Sequence, residues 1–350
     1  MEKTHVFVGM SGGVDSSVAA VLLQQAGYRV SGITGVMFRR EDQPSGDGDA
    51  AAVAARLGIP FHVLDLTEAF RDTVIWNCIR EYEQGRTPNP CAVCNRTIKF
   101  GVLLDRVREL GGEYLATGHY AQIVQDPNTG RYLLKRGADR SKDQSYFLYA
   151  LTQEQLAHTL FPLGGLEKQQ VRQIAEKQGL VNARRKDSQD ICFISNGKYA
   201  EFIERTTGKA FPEGPYIDES GNVLGQHKGI IRYTRGQHKK LGISTEQPLY
   251  VLEKDVEHNT IRLGPDSALW SRTLTAEHLN WISVPALTEP LHVTVKTRYS
   301  QRESAAVAEM HPDGRLHVTF EEPQRAITVG QAVVLYDGDV VVGGGIICGE

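Results

Sequence analysis

The chain has 350 residues, of which 41% are hydrophobic and 23% charged, and a formal net charge of −3. The length predicts two or three domains, each able to bury a core of its own. No apolar run is long enough to cross a bilayer, and five cysteines are too few for a disulfide scaffold. Met1–His5 lead straight into a strand-like segment without a signal-peptide pattern, so the expectation is a cytoplasmic protein with no membrane partner.

The first element is an apolar strand at Val6–Val8, followed by a glycine-rich turn and a helix beginning near Ser16. Ser11, Gly12 and Gly13 lack bulky side chains, so successive backbone N–H groups can line an anion-sized concavity. The positive end of the helix dipole faces the same spot, which suits the phosphates of ATP. A Walker loop would add a lysine and Ser/Thr after its last glycine, and a dinucleotide loop would space three glycines; neither pattern is present. The run Ser11–Ser16 instead resembles the loop of ATP pyrophosphatases, which split ATP between the α- and β-phosphates. Asp15 is read either as a Mg²⁺ ligand or as a helix-start residue.

Strand and helix patterns then alternate to about Asn196. Val30–Ile33, Phe61–Leu64 and Tyr114–Thr117 read as buried strands, Ala50–Leu57 and Phe100–Leu110 as helices, and Asp42–Asp49 as a mobile polar loop. Gly27, Gly58 and Gly111 follow helical stretches, where a left-handed stop is expected. Such alternation predicts an α/β fold with a parallel sheet and ligands at the carboxyl ends of its strands. After about Phe202 the pattern turns to short strands, among them Leu249–Glu253, Thr260–Leu263, Leu291–Thr297, Leu316–Phe320 and Ala332–Tyr336. The predicted division is a catalytic domain at 1–205, a small mixed or β-rich central domain at 206–270, and a C-terminal β-barrel at 271–350. Three basic stretches point to a polyanionic partner: Lys228, Arg232, Arg235, Lys239 and Lys240; Arg184–Lys186; and Lys296–Arg302.

The cysteines need a joint explanation. Cys91 and Cys94 stand three positions apart after Pro88-Asn89-Pro90, and Cys192 lies far downstream; Cys78 and Cys348 read as incidental. A structural zinc site would want a second close pair, and a thioredoxin-like motif would not follow two prolines. Two readings stay open: a sulfur-handling pair in which one thiol resolves a persulfide, or three ligands of a 4Fe–4S cluster with one iron left open. Joined to an ATP-pyrophosphatase loop, either points to sulfur transfer onto an adenylated substrate.

At this point the motifs, taken in order, are similar to those of the tRNA-specific 2-thiouridylases. They are Gly9–Ser16, Gly85–Pro90, Cys94-Asn95, Ile98–Phe100, Ala116–Tyr120, Lys142–Leu148, Ile191–Ile194, Val295–Tyr299 and Gly343–Ile347. The resemblance covers nearly the whole chain. It implies an ATP-pyrophosphatase (PP-loop) domain, a small central domain and a C-terminal barrel, and an enzyme that thiolates the wobble uridine of tRNA using ATP and Mg²⁺.

By position, the resemblance implies that Gly9, Met10, Ser11, Gly12, Gly13, Val14, Asp15 and Ser16, with Gly35 and Gly118, bind ATP. It makes Cys94 the nucleophile and Cys192 the persulfide carrier. Asn89, Pro90 and Cys91 would meet the target base, and His119, Lys142, Asp143, Gln144, Arg298, Tyr299 and Gln331 would touch tRNA. A sulfur carrier or cysteine desulfurase would donate the persulfide. The chain departs from the family pattern where Cys91 replaces an aspartate, and where Gly35-Val36 replaces Met-Lys. The first departure adds a third soft ligand and raises the cluster reading on Cys91, Cys94 and Cys192. An amidotransferase or ligase on the same loop would have no use for these thiols, and a non-catalytic RNA-binding module would not need them.

Overall fold

The computed structural model describes residues 3–39, 47–180, 191–194 and 197–349. β1 (His5–Gly9), β2 (Arg29–Val36), β3 (Phe61–Asp65), β4 (Tyr114–Ala116) and β7 (Thr159–Leu160) form a parallel sheet in the order β3-β2-β1-β4-β7. Side chains alternate across a strand, and β1 uses both faces. Val6 and Val8 pack with Val18, Val21, Val53 and Val171 on one side, while Phe7 joins Ile33, Phe70, Ile98 and Leu104 on the other. The sheet is therefore covered twice, as its near-continuous apolar strands require.

Asp47–Asp49, read as the end of a loop, open the helix Asp47–Leu57. Positions 42–46 and the basic stretch Arg184–Lys186 lie outside the described residues. Gly27, Gly58 and Gly111 take positive φ (89°, 65° and 77°) after helices, as the stop signals require.

One element departs from the simple alternation. β5 (Ala121–Gln125) and β6 (Tyr132–Arg136) form an antiparallel hairpin that leaves the parallel sheet. Its signal in the sequence is the turn Asp126-Pro127-Asn128-Thr129-Gly130, in which Asn128 N–H donates to Asp126 Oδ1 at 3.0 Å.

β8 (Gly214–Ile217), β9 (Val223–His227), β10 (Tyr250–Asp255) and β11 (Thr260–Gly264) make a four-stranded sheet in the order β10-β11-β8-β9. β12 (Trp270–Trp281), β13 (Leu291–Lys296), β14 (Ser304–Met310), β15 (Leu316–Arg325), β16 (Ala332–Asp337) and β17 (Val340–Gly349) form a barrel in the order β12-β15-β14-β13-β16-β17, which closes by pairing β12 with β17. Closure pairs the six barrel strands on both sides, and the β5–β6 hairpin extends the sheet from β17. Leu274, Val293, Leu316, Val318, Phe320 and Leu335 fill it.

The barrel is seated firmly on the nucleotide domain. β6 meets β17 at Lys135 and Val340, Asn280 Nδ2 donates to the carbonyls of Tyr149 (2.7 Å) and Leu151 (2.9 Å), and Tyr146 OH donates to Ala332 O at 3.0 Å. Arg136 is buried, pairs with Glu303 and lies 3.8 Å over the Tyr336 ring. Among the described residues, no helix is long and apolar enough to cross a membrane.

Candidate functional site

The nucleotide loop begins where β1 ends, at the carboxyl edge of the sheet. Met10 is pinned from both sides: its N–H donates to Ile33 O at 2.8 Å, and its carbonyl accepts Thr34 Oγ1 at 2.6 Å. The chain reverses at Gly12, whose φ of +72° suits glycine, and α1 (Val14–Gln25) starts from Gly13. The hydroxyls of Ser16 and Ser17 both donate to Gly13 O, at 3.2 and 2.9 Å, and Ser11 N–H donates to Ser16 Oγ at 3.3 Å. The serines thus brace the loop itself. The first helical bond is Ser17 N–H to Gly13 O, so the N–H groups of Val14 and Asp15 precede the ladder and are available to an anion.

Asp15 has a partner the sequence did not suggest. Lys168 Nζ, from the helix Lys168–Lys177, lies 2.8 Å from each carboxylate oxygen, and Tyr120 OH donates to Oδ1 at 2.8 Å. Gly118 closes against this corner: a Cβ there would stand 2.7 Å from the Asp15 carbonyl carbon and 2.8 Å from Ser16 N. Gly35 sits within β2, where a Cβ would meet Leu66 at 2.7 Å.

The thiols lie beside the same edge. Asn89 caps the helical turn Pro90–Cys94 by accepting Ala92 N–H at 3.3 Å, and Pro90 occupies the first helical position, where its missing N–H does no harm. That turn runs on into a π-helical stretch, Asn95–Val102, a rare form that is frequent at functional sites. Cys94 is buried, and burial pushes its thiol up to about 12, with Cys192 and Cys91 adding repulsion and Lys99 opposing. Cys91 is half-buried and also raised by burial, while Cys192 is exposed. None of the five cysteines is joined in a disulfide. Cys78, on the helix Trp76–Glu83, is pushed up to about 12 by burial and then by the charge at Cys91.

Cys192 is brought to Cys94 by aromatic packing. Its neighbour Phe193 is buried against Phe38, Phe70 and Phe202, with ring centroids 6.5, 5.6 and 5.3 Å away. Met37, next to Phe38, receives Cys94 Sγ–H at its Sδ, 3.8 Å away. The segments that carry the two thiols, far apart in the chain, therefore meet through Met37-Phe38 and Phe193, with Cys94 buried and Cys192 exposed.

His119 shares a 2.7 Å hydrogen bond with Thr117 Oγ1 through Nδ1 and packs against Phe100 and Phe161. Burial, and then the Lys99 charge, hold its imidazole well below the ordinary range, so it is neutral. Lys99 faces Cys91, Cys94 and His119 alike.

The other residues matched to tRNA contacts are largely engaged in scaffolding. Asp143 is buried and accepts the N–H groups of Gly137 (3.0 Å) and Ser145 (3.1 Å), and Gln144 Oε1 accepts Tyr120 N–H at 3.0 Å. Arg298 donates to Ala326 O at 2.7 Å and to Thr328 Oγ1 at 2.5 Å. Gln331 Nε2 donates to Thr87 O at 2.8 Å and Pro88 O at 3.1 Å. Lys142 is half-buried, and Tyr299 is 38% exposed with its ring 4.5 Å from Phe147. In the central basic stretch, Arg232 is bridged to Glu201 and Glu204, while Lys239 and Lys240 are exposed.

Sequence reasoning gave no role to Met37, Lys99 or Lys168. Met37 had a signal, one residue past the carboxyl end of β2. Lys99 had one too, five residues after Cys94, the hydrogen-bond span of a π-turn. Lys168 had none, because only the packing of its helix on α1 brings it to Asp15.

Three protein-family models match consecutive parts of the chain: tRNA methyl transferase HUP domain at residues 4–196, tRNA methyl transferase PRC-barrel domain at 200–265, and Aminomethyltransferase beta-barrel domain at 271–347. The chain is 48% identical over 358 residues to the tRNA-specific 2-thiouridylase MnmA of Acetivibrio thermocellus, covering 99% of this chain and 100% of that one. It is 50% identical over 356 residues to tRNA-specific 2-thiouridylase MnmA 1 of Caldanaerobacter subterraneus, covering 99% and 98%. A solved 4-thiouridine synthetase–RNA complex with bound ATP overlaps it at a TM-score of 0.34 and 16% identity, covering 59% of this chain and 50% of that one. The chain belongs to the tRNA-specific 2-thiouridylase family.

Proposed function

We propose that this protein uses ATP to replace the C2 oxygen of the tRNA wobble uridine with sulfur, through Cys94 and Cys192. What supports the reading is that Phe193, beside Cys192, packs on Phe38, the neighbour of the Met37 that receives the Cys94 thiol just past the carboxyl end of β2. ATP, with Mg²⁺, occupies the Gly9–Ser16 loop. The uracil C2 oxygen attacks the α-phosphate and pyrophosphate leaves; adenylation makes C2 electrophilic and AMP its leaving group. The terminal sulfur of a Cys192 persulfide, loaded by a sulfur carrier or desulfurase, attacks C2 and expels AMP. The Cys94 thiolate then takes the inner sulfur, leaving a thiocarbonyl on the base and a Cys94–Cys192 disulfide for an external dithiol to reduce. Exposure suits Cys192 to loading, and burial keeps Cys94 protonated until the base enters.

Extruding the base into the Asn89–Cys94 turn is cheapest from a single-stranded anticodon loop. Asn89, Pro90, Cys91 and His119 line its route, and Lys142, Asp143, Gln144, Arg298, Tyr299 and Gln331 lie on the tRNA side. Domain limits near 205 and 270 fit this division.

A variant of the mechanism retains the reaction and changes the sulfur carrier. Cys91, Cys94 and Cys192 supply a donor set that fits three irons of a 4Fe–4S cluster, which when bound would present hydrosulfide at its open iron. Binding would have to displace the proton from Cys94, whose thiol burial pushes up.

The test is 2-thiouridine content of tRNA incubated with ATP, a persulfide source and Cys94→Ser or Cys192→Ser protein. Both variants are expected to be inactive, and full activity in either overturns the assignment. Iron and sulfide analysis of anaerobically purified protein separates the two sulfur carriers: an iron-free protein with full turnover leaves the persulfide route.

A further inference from the structure

We propose that the hairpin joining β14 to β15 holds a borderline divalent metal ion of the zinc class on His311, Asp313 and His317. One ligand nitrogen of each imidazole and one carboxylate oxygen of Asp313 lie within 4.8 Å of one another. The turn fixes two of the three. His311 N–H donates to Arg315 O at 2.9 Å, Gly314 N–H donates to His311 O at 2.9 Å, and Gly314 takes the positive φ of +83° that the reversal needs. Arg315 N–H donates to Asp313 Oδ1 at 2.9 Å, which aims the carboxylate back at the His311 ring, whose Nδ1 is 3.4 Å from the same oxygen.

The third ligand comes from the strand. Leu316 and Val318 are buried inside the barrel, so His317 between them stands on the outer face, with Glu309 and Thr275 directly across the ladder. The His311 ring covers it, centroids 4.4 Å apart and planes 25° from parallel. His317 Nε2 is buried and has no hydrogen-bond partner. A polar nitrogen shut from water without a partner is unfavourable, and metal ligation relieves that.

The donor set decides the class of ion. Two imidazoles and one carboxylate suit Zn²⁺, Co²⁺, Ni²⁺ or Cu²⁺, whereas Mg²⁺ and Ca²⁺ prefer oxygen alone. At metal–ligand lengths of about 2.1 Å, tetrahedral ligands stand roughly 3.4 Å apart. Closing the cluster asks for about an ångström of side-chain movement, and His311 and Asp313 are exposed and can supply it. Water completes the coordination. The ion would staple the turn to the strand on the barrel's outer wall.

The experiment uses the full chain carrying Cys91→Ser, Cys94→Ser and Cys192→Ser, which removes competing thiols. Equilibrium dialysis against Zn²⁺ is expected to find a bound ion in this parent, and adding His311→Gln or His317→Gln weakens it more than roughly tenfold. Zn²⁺ raises the thermal midpoint of the parent and not of the histidine variants. Should the triple variant not fold, Co²⁺ added to the wild-type chain gives the same answer: a d–d absorption without a thiolate charge-transfer band, lost in His317→Gln. Zinc binding unchanged by His317→Gln, or a folded parent that binds no Zn²⁺, overturns the site.

Discussion

The side-chain amide of Gln331, at the entrance to β16 of the barrel, holds the carbonyl of Pro88, two residues before the helical turn that carries Cys91 and Cys94. The same amide holds Thr87 O, and the backbone returns the contact through Thr87 N–H to Val329 O at 3.0 Å. Gly330 packs so closely that a Cβ there would stand 2.9 Å from Thr87 N. The barrel thus supports the loop that leads to Cys91 and Cys94. Gln331→Ala is expected to lower the thiolation rate about tenfold, from loss of bonds worth about 1–3 kcal/mol, with little change in tRNA affinity measured by filter binding. A variant that loses affinity and retains rate would make Gln331 a plain RNA contact.

Lys168 and Asp15 form the second long-range tie, and both are largely withdrawn from solvent, with side chains 11% and 30% exposed. Lys168→Met leaves the Asp15 carboxylate with the hydrogen bond from Tyr120 OH. The expected loss is about 1–3 kcal/mol in urea unfolding, together with weaker ATP binding as the loop relaxes. An unchanged urea midpoint would show that Tyr120 alone holds the carboxylate.

Gly118→Ala places a methyl 2.7 Å from the Asp15 carbonyl carbon and 2.8 Å from Ser16 N, so the phosphate loop has to move. Overpacking of this kind disfavours the native arrangement by about 1–3 kcal/mol. The expected outcome is a raised KM for ATP, with tRNA affinity unaffected. Wild-type ATP kinetics in this variant would place the nucleotide elsewhere.

Cys78 and Cys94 are buried as neutral thiols, each pushed up to about 12. In the unfolded chain a cysteine ionises near about 8.5. Their contribution to stability is therefore complete below that pH and declines as pH rises towards about 12, because the unfolded state loses the proton first. Urea midpoints are expected to fall between roughly pH 8 and pH 10, and to fall less in Cys78→Ala. The same burial makes alkylation of Cys94 slow at neutral pH and steeply faster in alkali, while exposed Cys192 reacts first. Equal alkylation rates at neutral pH would contradict the burial of Cys94.

Much of this protein is local and therefore legible in the chain. The phosphate loop can be read from Ser11-Gly12-Gly13, because small residues after a strand and before a helix fix the backbone within a few positions. Strands β1 to β4 and the barrel strands announce themselves by apolar runs between turn residues. The spacing of Cys91 and Cys94 marks the pair without fixing its role. What only the folded chain decided are pairings between distant segments. They include Cys94 with Met37, Asp15 with Lys168, Gln331 with Thr87 and Pro88, the β5–β6 hairpin added to the barrel, and His317 beneath His311. The physical reason is that periodicity and turn chemistry constrain a residue's neighbours in sequence, whereas a contact between elements depends on how whole sheets and helices bury their apolar faces together.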